Sequence, residues 1–287
     1  FFRGLADAVM RWPFHVAHHS LARWNLVFSK LNPTMWARRC ASVSIGDASM
    51  RVPTHSECFR VPQVNHIEDT QRCLQQLRWM LQKDAMGQDL FLIGPPGPMR
   101  RWLALRYCNL VNKEVEFLTI SSDTTEADIK ARREINAGTV QWIHQPAVKA
   151  AILGRILIID GIEKAERNVL PILNNLLENR EMALDDGRFL MHHIRYDELL
   201  AKHGVEEMDR LGFLRVSPDF RVIALGLPVP PFPGTPLDPP LRSRFQCMAV
   251  DSVATEELMH RVKQGGNAPD TVRLKQLATL VEALQEV

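Results

Sequence analysis

Four short apolar runs separated by helical patterns set the predicted order of elements along the chain. The runs cover residues 90–93, 115–120, 156–160 and 220–225, and each predicts a strand. Between residues 70 and 83, apolar side chains recur at helical spacing, which predicts a helix beside the first strand. Continuous apolar strands that alternate with helices are typical of parallel sheets covered on both faces. We therefore expect an α/β fold with about five parallel strands flanked by helices.

The first strand runs into a Gly-Pro-Pro-Gly turn and then into a helical segment, which is the order of a phosphate-binding P-loop. A working loop reads G-x-x-x-x-G-K-[ST], with the Lys on the outer phosphates and the hydroxyl on Mg²⁺. Here the last three positions hold Met99, Arg100 and Arg101. The candidate nucleotide-binding residues are therefore Gly94, Pro95, Pro96, Gly97, Pro98, Met99, Arg100 and Arg101.

The third strand ends in a carboxylate, Asp160, which is a candidate ligand of Mg²⁺ across from the loop. A second acid would normally follow it and polarise the attacking water, but the next residue is Gly161. Glu163 and Glu166 lie close in sequence, and we expect both to be solvated helix charges.

Other segments predict decorations on the sheet. Thr125-Glu-Ala-Asp128 is a capping-box-like helix start, and Asp186-Gly187 between alternating residues predicts a two-residue β-hairpin outside the parallel core. Seven prolines between residues 228 and 240 predict an extended loop. A stripe of Leu274, Leu277, Val281 and Leu284 predicts a last helix.

Composition limits the classes of function. With 46% hydrophobic and 24% charged residues, 287 residues can bury a globular core. Residues 1–46 hold six basic residues and one acidic residue, so the remainder of the chain sums to about −3 and is no nucleic-acid-binding surface. Five scattered cysteines indicate free thiols rather than a disulfide framework, and no apolar run is long enough to span a membrane.

The first 46 residues combine arginines, histidines and large apolar residues almost without acids, which is typical of a mitochondrial transit segment. An irregular extension is the alternative. His15, His18 and His19 lack carboxylate or cysteine partners nearby in sequence, so we do not interpret them as a metal site. We divide the chain into this extension (1–46), a nucleotide-binding domain (65–250) and a helical, lid-like segment (251–287) that we expect to be incomplete.

The loop, the strand that ends in Asp160 and a late Leu-Arg-Ser-Arg-Phe together resemble the AAA+ ATPases. Gly138-x-Val-x-Trp142, Leu176-Leu-Glu-x-Arg-Glu and the Asp-Gly hairpin are similar to the dynein, midasin and MoxR branch of that family. The resemblance implies ATP and Mg²⁺ as cofactors, further AAA+ modules or subunits in a ring, and a protein client.

Within this resemblance, Arg244 matches the arginine finger that reaches a neighbour's γ-phosphate and stabilises the developing charge. The alternative is a structural arginine at the end of a helix. The position on the fourth strand that orients water falls near Leu227, which cannot do so. The altered loop, Gly161 and Leu227 all indicate that this module hydrolyses ATP slowly or not at all.

Two hypotheses remain open. The first is an ATP-dependent machine of the mitochondrial matrix, in which this module binds nucleotide while other modules hydrolyse it. The second is a non-enzymatic AAA+ scaffold that contributes packing and an arginine finger but never holds ATP. An unrelated P-loop kinase or GTPase is disfavoured, because no acceptor site or guanine-reading motif is recognisable.

Overall fold

The computed structural model describes residues 40–53, 60–64, 70–136, 139–166, 169–251 and 271–285. Most of the predicted transit segment, with its three histidines, therefore lies outside the described residues. No helix in the described ranges is long and apolar enough to cross a bilayer. The strands, in chain order, are β1 (Cys40–Ile45), β2 (Ala48–Pro53), β3 (Asp89–Ile93), β4 (Val115–Thr119), β5 (Ala131–Asn136), β6 (Thr139–His144), β7 (Ile156–Asp160), β8 (Met182–Ala183), β9 (Phe189–Met191), β10 (Phe213–Arg215), β11 (Arg221–Gly226) and β12 (Phe245–Ala249).

The helices alternate with these strands. They are α1 (Gln71–Ala85), α2 (Met99–Leu110), α3 (Glu126–Ile129), α4 (Pro146–Leu153), α5 (Leu170–Glu178), α6 (His193–His203), α7 (Val205–Arg210), α8 (Pro239–Arg242) and α9 (Thr271–Gln285). A 3₁₀ turn, Ile162–Lys164, follows β7. The side chains of Leu274, Val281 and Leu284 in α9 lie outside the described residues.

Five strands form one parallel sheet in the order β12-β3-β11-β7-β4. The strand before the loop, β3, is an interior strand between β12 and β11. The predicted α/β fold with a parallel sheet of about five strands is therefore confirmed, and residues 94–101 lie beyond the carboxyl end of an interior strand. This is where α/β sheets commonly bind ligands.

Alternate residues of each strand enter two separate cores. In β7, Leu157 and Ile159 face the core with α4 and α5, whereas Ile156 and Ile158 face the core with α1 and α2. All four side chains are fully buried. This two-sided burial explains why the strands read as continuous apolar runs.

Two antiparallel hairpins form two-stranded sheets of their own, and the sequence predicted neither. β1 pairs with β2, and Ala48 and Val52 are buried in the core against α1. The sequence boundary at residue 46 falls at the turn of this hairpin. β5 pairs with β6 and projects outward, with Ile135 and Val140 exposed.

The predicted capping box is present, since Thr125 N donates to Asp128 Oδ2 at 3.0 Å. However, α3 is only four residues long, because the chain turns directly into β5. The box therefore starts a single helical turn rather than a long helix.

The hairpin around Asp186-Gly187 is present as β8 and β9, but the predicted two-residue turn is wrong. Leu184 N donates to Arg188 O, and Gly187 N donates to Leu184 O. The loop therefore holds three residues, because Gly187, with φ +84°, follows a turn over residues 185–186. β9 also pairs with β10, so the small sheet has three strands.

His144 connects the β5–β6 hairpin to the β8–β9 hairpin. Its Nε2 lies 2.7 Å from Arg188 Nη2, and Arg188 in turn pairs with Asp186. Since a guanidinium can only donate, Nε2 accepts and the ring is neutral. Burial, followed by the charge of Arg188, lowers the pKa of His144 below its ordinary value of 6.5, despite the opposing effect of Asp186.

Because the folded state disfavours the protonated ring, we expect stability to fall as the pH drops below about 6.5. His144→Gln keeps an acceptor but cannot titrate, so its free energy of unfolding should depend less on pH between about 7.5 and 5.5. Urea unfolding of both proteins across this range measures the difference. Parallel pH profiles would show that His144 does not contribute.

Candidate nucleotide-binding site

Residues 94–101 connect β3 to α2, and Gly94 is enclosed by backbone on two sides. Its N–H donates to the Gly226 carbonyl at 3.3 Å. A Cβ at this position would stand 2.0 Å from the Val250 carbonyl oxygen, which real side chains do not allow. The first glycine of the loop is therefore required by the close approach of the chain that follows β12.

The loop ends at the amino terminus of α2, whose N-cap residue is Pro98 and which has no side-chain cap. Amide groups at a helix amino terminus favour an anion. Arg100 lies in the first turn, with its Cδ 3.5 Å from the position of a Cβ on Gly94. Its buried Nε has no hydrogen-bond partner among the described residues, so the loop offers a cationic donor that an anion could use.

Arg101 takes the position at which a hydroxyl would meet a metal ion. Its guanidinium carbon lies 5.0 Å from the Phe117 ring centroid, within the range of a cation–π contact. Its Nη1 lies 3.9 Å from Asp160 Oδ2. The side chains are 56% and 37% exposed, so solvent screens this pair. The Asp160 carboxylate therefore already faces a cation from its own chain.

These residues do not fit Mg²⁺. Among the residues that the structure describes, no three His, Cys, Asp or Glu side chains are grouped to hold a metal ion. A dication about 4 Å from the Arg101 charge would be repelled by about 8 kcal/mol at an effective dielectric of about 20, before relaxation. The misfit with the predicted Mg²⁺ at Asp160 therefore lies in Arg101, which places a cation where a metal-binding hydroxyl would stand.

Gly161 occupies the position of the second acid and adopts φ +80°. A Cβ there would stand 2.9 Å from the Ile120 carbonyl oxygen. Leu227 directly follows β11 and presents no polar group to orient water. The two positions that would act on an attacking water are thus both without functional groups.

The expectation that Glu163 is a solvated helix charge is wrong, whereas Glu166 is exposed. Glu163 is 4% exposed, and its backbone carbonyl accepts from Thr235 N at 2.7 Å. Its Oε2 has no hydrogen-bond partner in the described ranges, and a Cβ on Gly226 would lie 3.2 Å from it. The Pro-rich loop after β11 therefore covers this carboxylate.

Arg244 lies at the amino end of β12, whereas residues 94–101 lie at the carboxyl ends of the strands. Its Nη2 is 2.5 Å from Glu178 Oε2, and its Nε is 3.4 Å from Asn174 Oδ1. The structure therefore does not bring Arg244 to the loop of its own chain. It does bring residues 100, 101 and 160 to one end of the sheet.

Three residues with contacts at these sites were missed in the sequence. Phe117 belongs to the apolar run of β4 but is 40% exposed. The alternation of side chains along a strand could have indicated that it faces outward. Asn174 and Glu178 are four residues apart on α5 and so share a helix face. Their spacing alone could not show that Arg244, almost 70 residues later, would be their partner.

Comparisons with known proteins agree with this geometry. Residues 89–245 match the AAA domain of the dynein-related subfamily. The von Willebrand factor A domain-containing protein 8 of Mus musculus is 53% identical over 245 residues, which are 85% of this chain but 13% of that protein. The uncharacterized protein YojN of Bacillus subtilis is 30% identical over 102 residues, 34% of each chain.

The crystal structure of a protein from Cytophaga hutchinsonii superposes with a TM-score of 0.48 and 13% identity, over 68% of this chain and 55% of that chain. The family match runs from the first residue of β3 to the first residue of β12, and so includes the loop and the strand that ends in Asp160. The predicted family resemblance is confirmed. This chain belongs to the dynein-related subfamily of AAA domains and is an AAA+ ATPase-type module.

Proposed function

We propose that this module binds the phosphates of ATP weakly and without Mg²⁺, and that it does not turn ATP over by itself. The observation that carries the proposal is the Arg101 guanidinium 3.9 Å from Asp160, at the place of the metal-binding hydroxyl. In a complete site, a metal ion would neutralise phosphate charge. Here the guanidinium of Arg101, which belongs to the chain itself, is available to neutralise that charge.

Phosphate binding is supported by the loop itself. The amino end of α2 and the unpartnered Nε of Arg100 both favour a di- or triphosphate. Arg101 can turn from Asp160 toward a phosphate oxygen at little cost, because the pair is exposed and screened. The affinity should therefore depend on these two arginines rather than on a metal ion.

Hydrolysis is not supported. Gly161 supplies no carboxylate to polarise water, and Leu227 supplies no amide to orient it. Acid–base groups of this kind contribute about 10²–10⁴-fold each to enzymatic rates. We infer that turnover belongs to other AAA+ modules or subunits assembled with this one in a ring, acting on a protein client.

The alternative function is a scaffold that never holds ATP and only supplies Arg244 to a neighbour. One observation favours it, namely that Arg101 and Asp160 already lie 3.9 Å apart as an ion pair within this chain. The two functions differ in a single measurable property, which is nucleotide binding by this chain.

Equilibrium titration with fluorescently labelled ATP tests the proposal. We expect weak binding that changes less than about twofold when Mg²⁺ is chelated, and no steady phosphate release. Arg101→Thr should make binding at least about tenfold tighter with Mg²⁺ than without it, because a hydroxyl replaces the repelling charge. Arg106→Thr, on the same helix, removes an equal charge and serves as the control.

Tight binding that is lost on chelation, with phosphate release abolished by Asp160→Ala, would contradict the proposal. No binding by the unmodified chain at millimolar ATP would favour the scaffold instead.

We further propose that the protein acts in the mitochondrial matrix. The support is the basic, almost acid-free composition of residues 1–46. A fluorescent reporter fused to these residues should enter mitochondria, and a diffuse cytosolic signal would contradict this location.

A further inference from the structure

A polar cavity lies at the amino ends of β3 and β12, at the opposite end of the sheet from residues 94–101. Its volume is about 430 Å³. Two arginines, two acids and a histidine line it, together with smaller polar residues. The ionisable members are Asp89, Glu178, Arg180, His192 and Arg244.

One of the two arginines is fixed. Arg180 Nη2 lies 2.8 Å from Asp89 Oδ2, and their side chains are 14% and 3% exposed. Asp89 Oδ1 also accepts from Val222 N, and Arg180 stacks on the Phe220 ring at 5.1 Å. Separating this pair would leave a buried carboxylate unpaired, which is strongly unfavourable.

The other arginine is more exposed. Arg244 pairs with Glu178, with side chains 32% and 38% exposed, and its Nε also contacts Asn174 Oδ1 at a long 3.4 Å. Glu178 sits at the end of α5, so water can hydrate its carboxylate once Arg244 leaves. Exposed ion pairs contribute little because solvent screens them. Of the two arginines, Arg244 is therefore the one that another anion can capture.

We propose that Glu178 is a competing internal anion, which holds Arg244 on its own chain until the terminal phosphate of a nucleotide in a neighbouring AAA+ module enters the cavity. This inference rests on the proposed function, in which the module works beside modules that hold ATP. A phosphate carries more charge than a carboxylate and pairs with arginine in the same two-pronged geometry. A docked neighbour that holds nucleotide therefore supplies an anion that competes with Glu178 for Arg244.

The rest of the cavity suits this ligand. His192 Nδ1 accepts from Ile194 N at 3.3 Å, so Nε2 is the ring nitrogen that can act as a donor. Arg180 adds a fixed guanidinium to the wall, and Asp89 balances its charge. Glu178 acts through Arg244 and is thus a positioning residue.

Calorimetric titration with inorganic tripolyphosphate tests the exchange, in the Arg100→Ala background that weakens anion binding at the loop. Glu178→Gln should bind the probe about fivefold tighter, the upper range for the loss of an exposed competing pair. Adding Arg244→Ala should remove the gain. Glu181→Gln is the matched control, because Glu181 also pairs with an arginine, Arg195, at 3.0 Å on the surface.

ATP turnover by the full-length protein identifies the source of the phosphate. Glu178→Gln should raise turnover, and Arg244→Ala should remove the increase. A tighter affinity for tripolyphosphate without a change in turnover would show that the cavity takes a free anion, and would overturn the assignment to a neighbour. Equal affinities of Glu178→Gln and Glu181→Gln for tripolyphosphate, or no binding in either variant, would also overturn the proposal.

The outcome is separable from that of the proposed function. The calorimetric gain does not require ATP at residues 94–101, since Arg100 is replaced in every variant. If the chain fails to bind ATP but Glu178→Gln binds tripolyphosphate more tightly, this inference stands and the proposed function is wrong. If the chain binds ATP but Glu178→Gln shows no gain, the proposed function stands and this inference is wrong.

Discussion

Replacing Asp84 with alanine is expected to lower the free energy of unfolding by about 3–5 kcal/mol, because it leaves Lys113 and Arg221, which are 10% and 21% exposed, without their acid. Asp84 is 4% exposed at the end of α1. Its Oδ2 accepts from the Tyr107 hydroxyl at 2.6 Å and lies 3.3 Å from Lys113 Nζ. Its Oδ1 lies 3.1 Å from Arg221 Nε, as a charge contact without hydrogen-bond alignment.

Urea unfolding monitored by circular dichroism measures this loss. Tyr107→Phe should cost only about 1 kcal/mol, since it removes one hydrogen bond and leaves the charges paired. The control is Asp47→Ala, which breaks an Asp–Arg pair with Arg78 on the surface of the same helix. Equal midpoints for the Asp84 and Asp47 variants would show that the buried cluster does not stabilise the fold.

The second large effect is expected for Gly161→Glu, which places an acid at the position where the family's second acid belongs. We expect no gain in ATP hydrolysis and a loss of about 2–4 kcal/mol in stability, from the left-handed backbone and the contact with the Ile120 carbonyl. The side chain would also enter a buried position. The backbone at this position therefore does not suit an acidic side chain.

Gly187→Glu is a matched control for this prediction. Gly187 has nearly the same φ, +84°, but a Cβ there would meet nothing within 4 Å. The difference between the two variants therefore separates the contact with Ile120 and the burial of the new side chain from the cost of the backbone conformation. A Gly161→Glu protein as stable as Gly187→Glu, or one that releases phosphate steadily, would refute the expectation.

The sequence predicted the parallel core well, because strand residues buried on both faces are apolar except for the acids at one end, Asp89 of β3 and Asp160 of β7. β3 and β7 are such strands, and the loop and Asp160 follow them directly. The β5–β6 hairpin was not predictable in this way. Its residues Arg132, Arg133 and Glu134 are exposed on both faces, so no apolar period marks it.

Long-range contacts account for what was missed at the sites. Glu163 reads as a surface charge, and only the return of Gly234 and Thr235 over it makes it buried. The pairing of Arg101 with Phe117 and Asp160 likewise depends on the order of strands in the sheet. Local sequence records the residue types at these positions but not the segments that later cover them.

The backbone contact between Gly94 and Val250 has a consequence for biosynthesis. The first strand of the sheet, β3, leaves the ribosome well before the segment that encloses Gly94, which follows more than 150 residues later. At about 5–20 residues per second, translation separates the two by roughly 10–30 s. Until β11 and then β12 have been made, the apolar β3 lacks its neighbours in the sheet, and it is open to aggregation or capture by chaperones. Nucleotide therefore cannot guide the folding of β3 until residues up to Val250 have been made, because the backbone around Gly94 is complete only then.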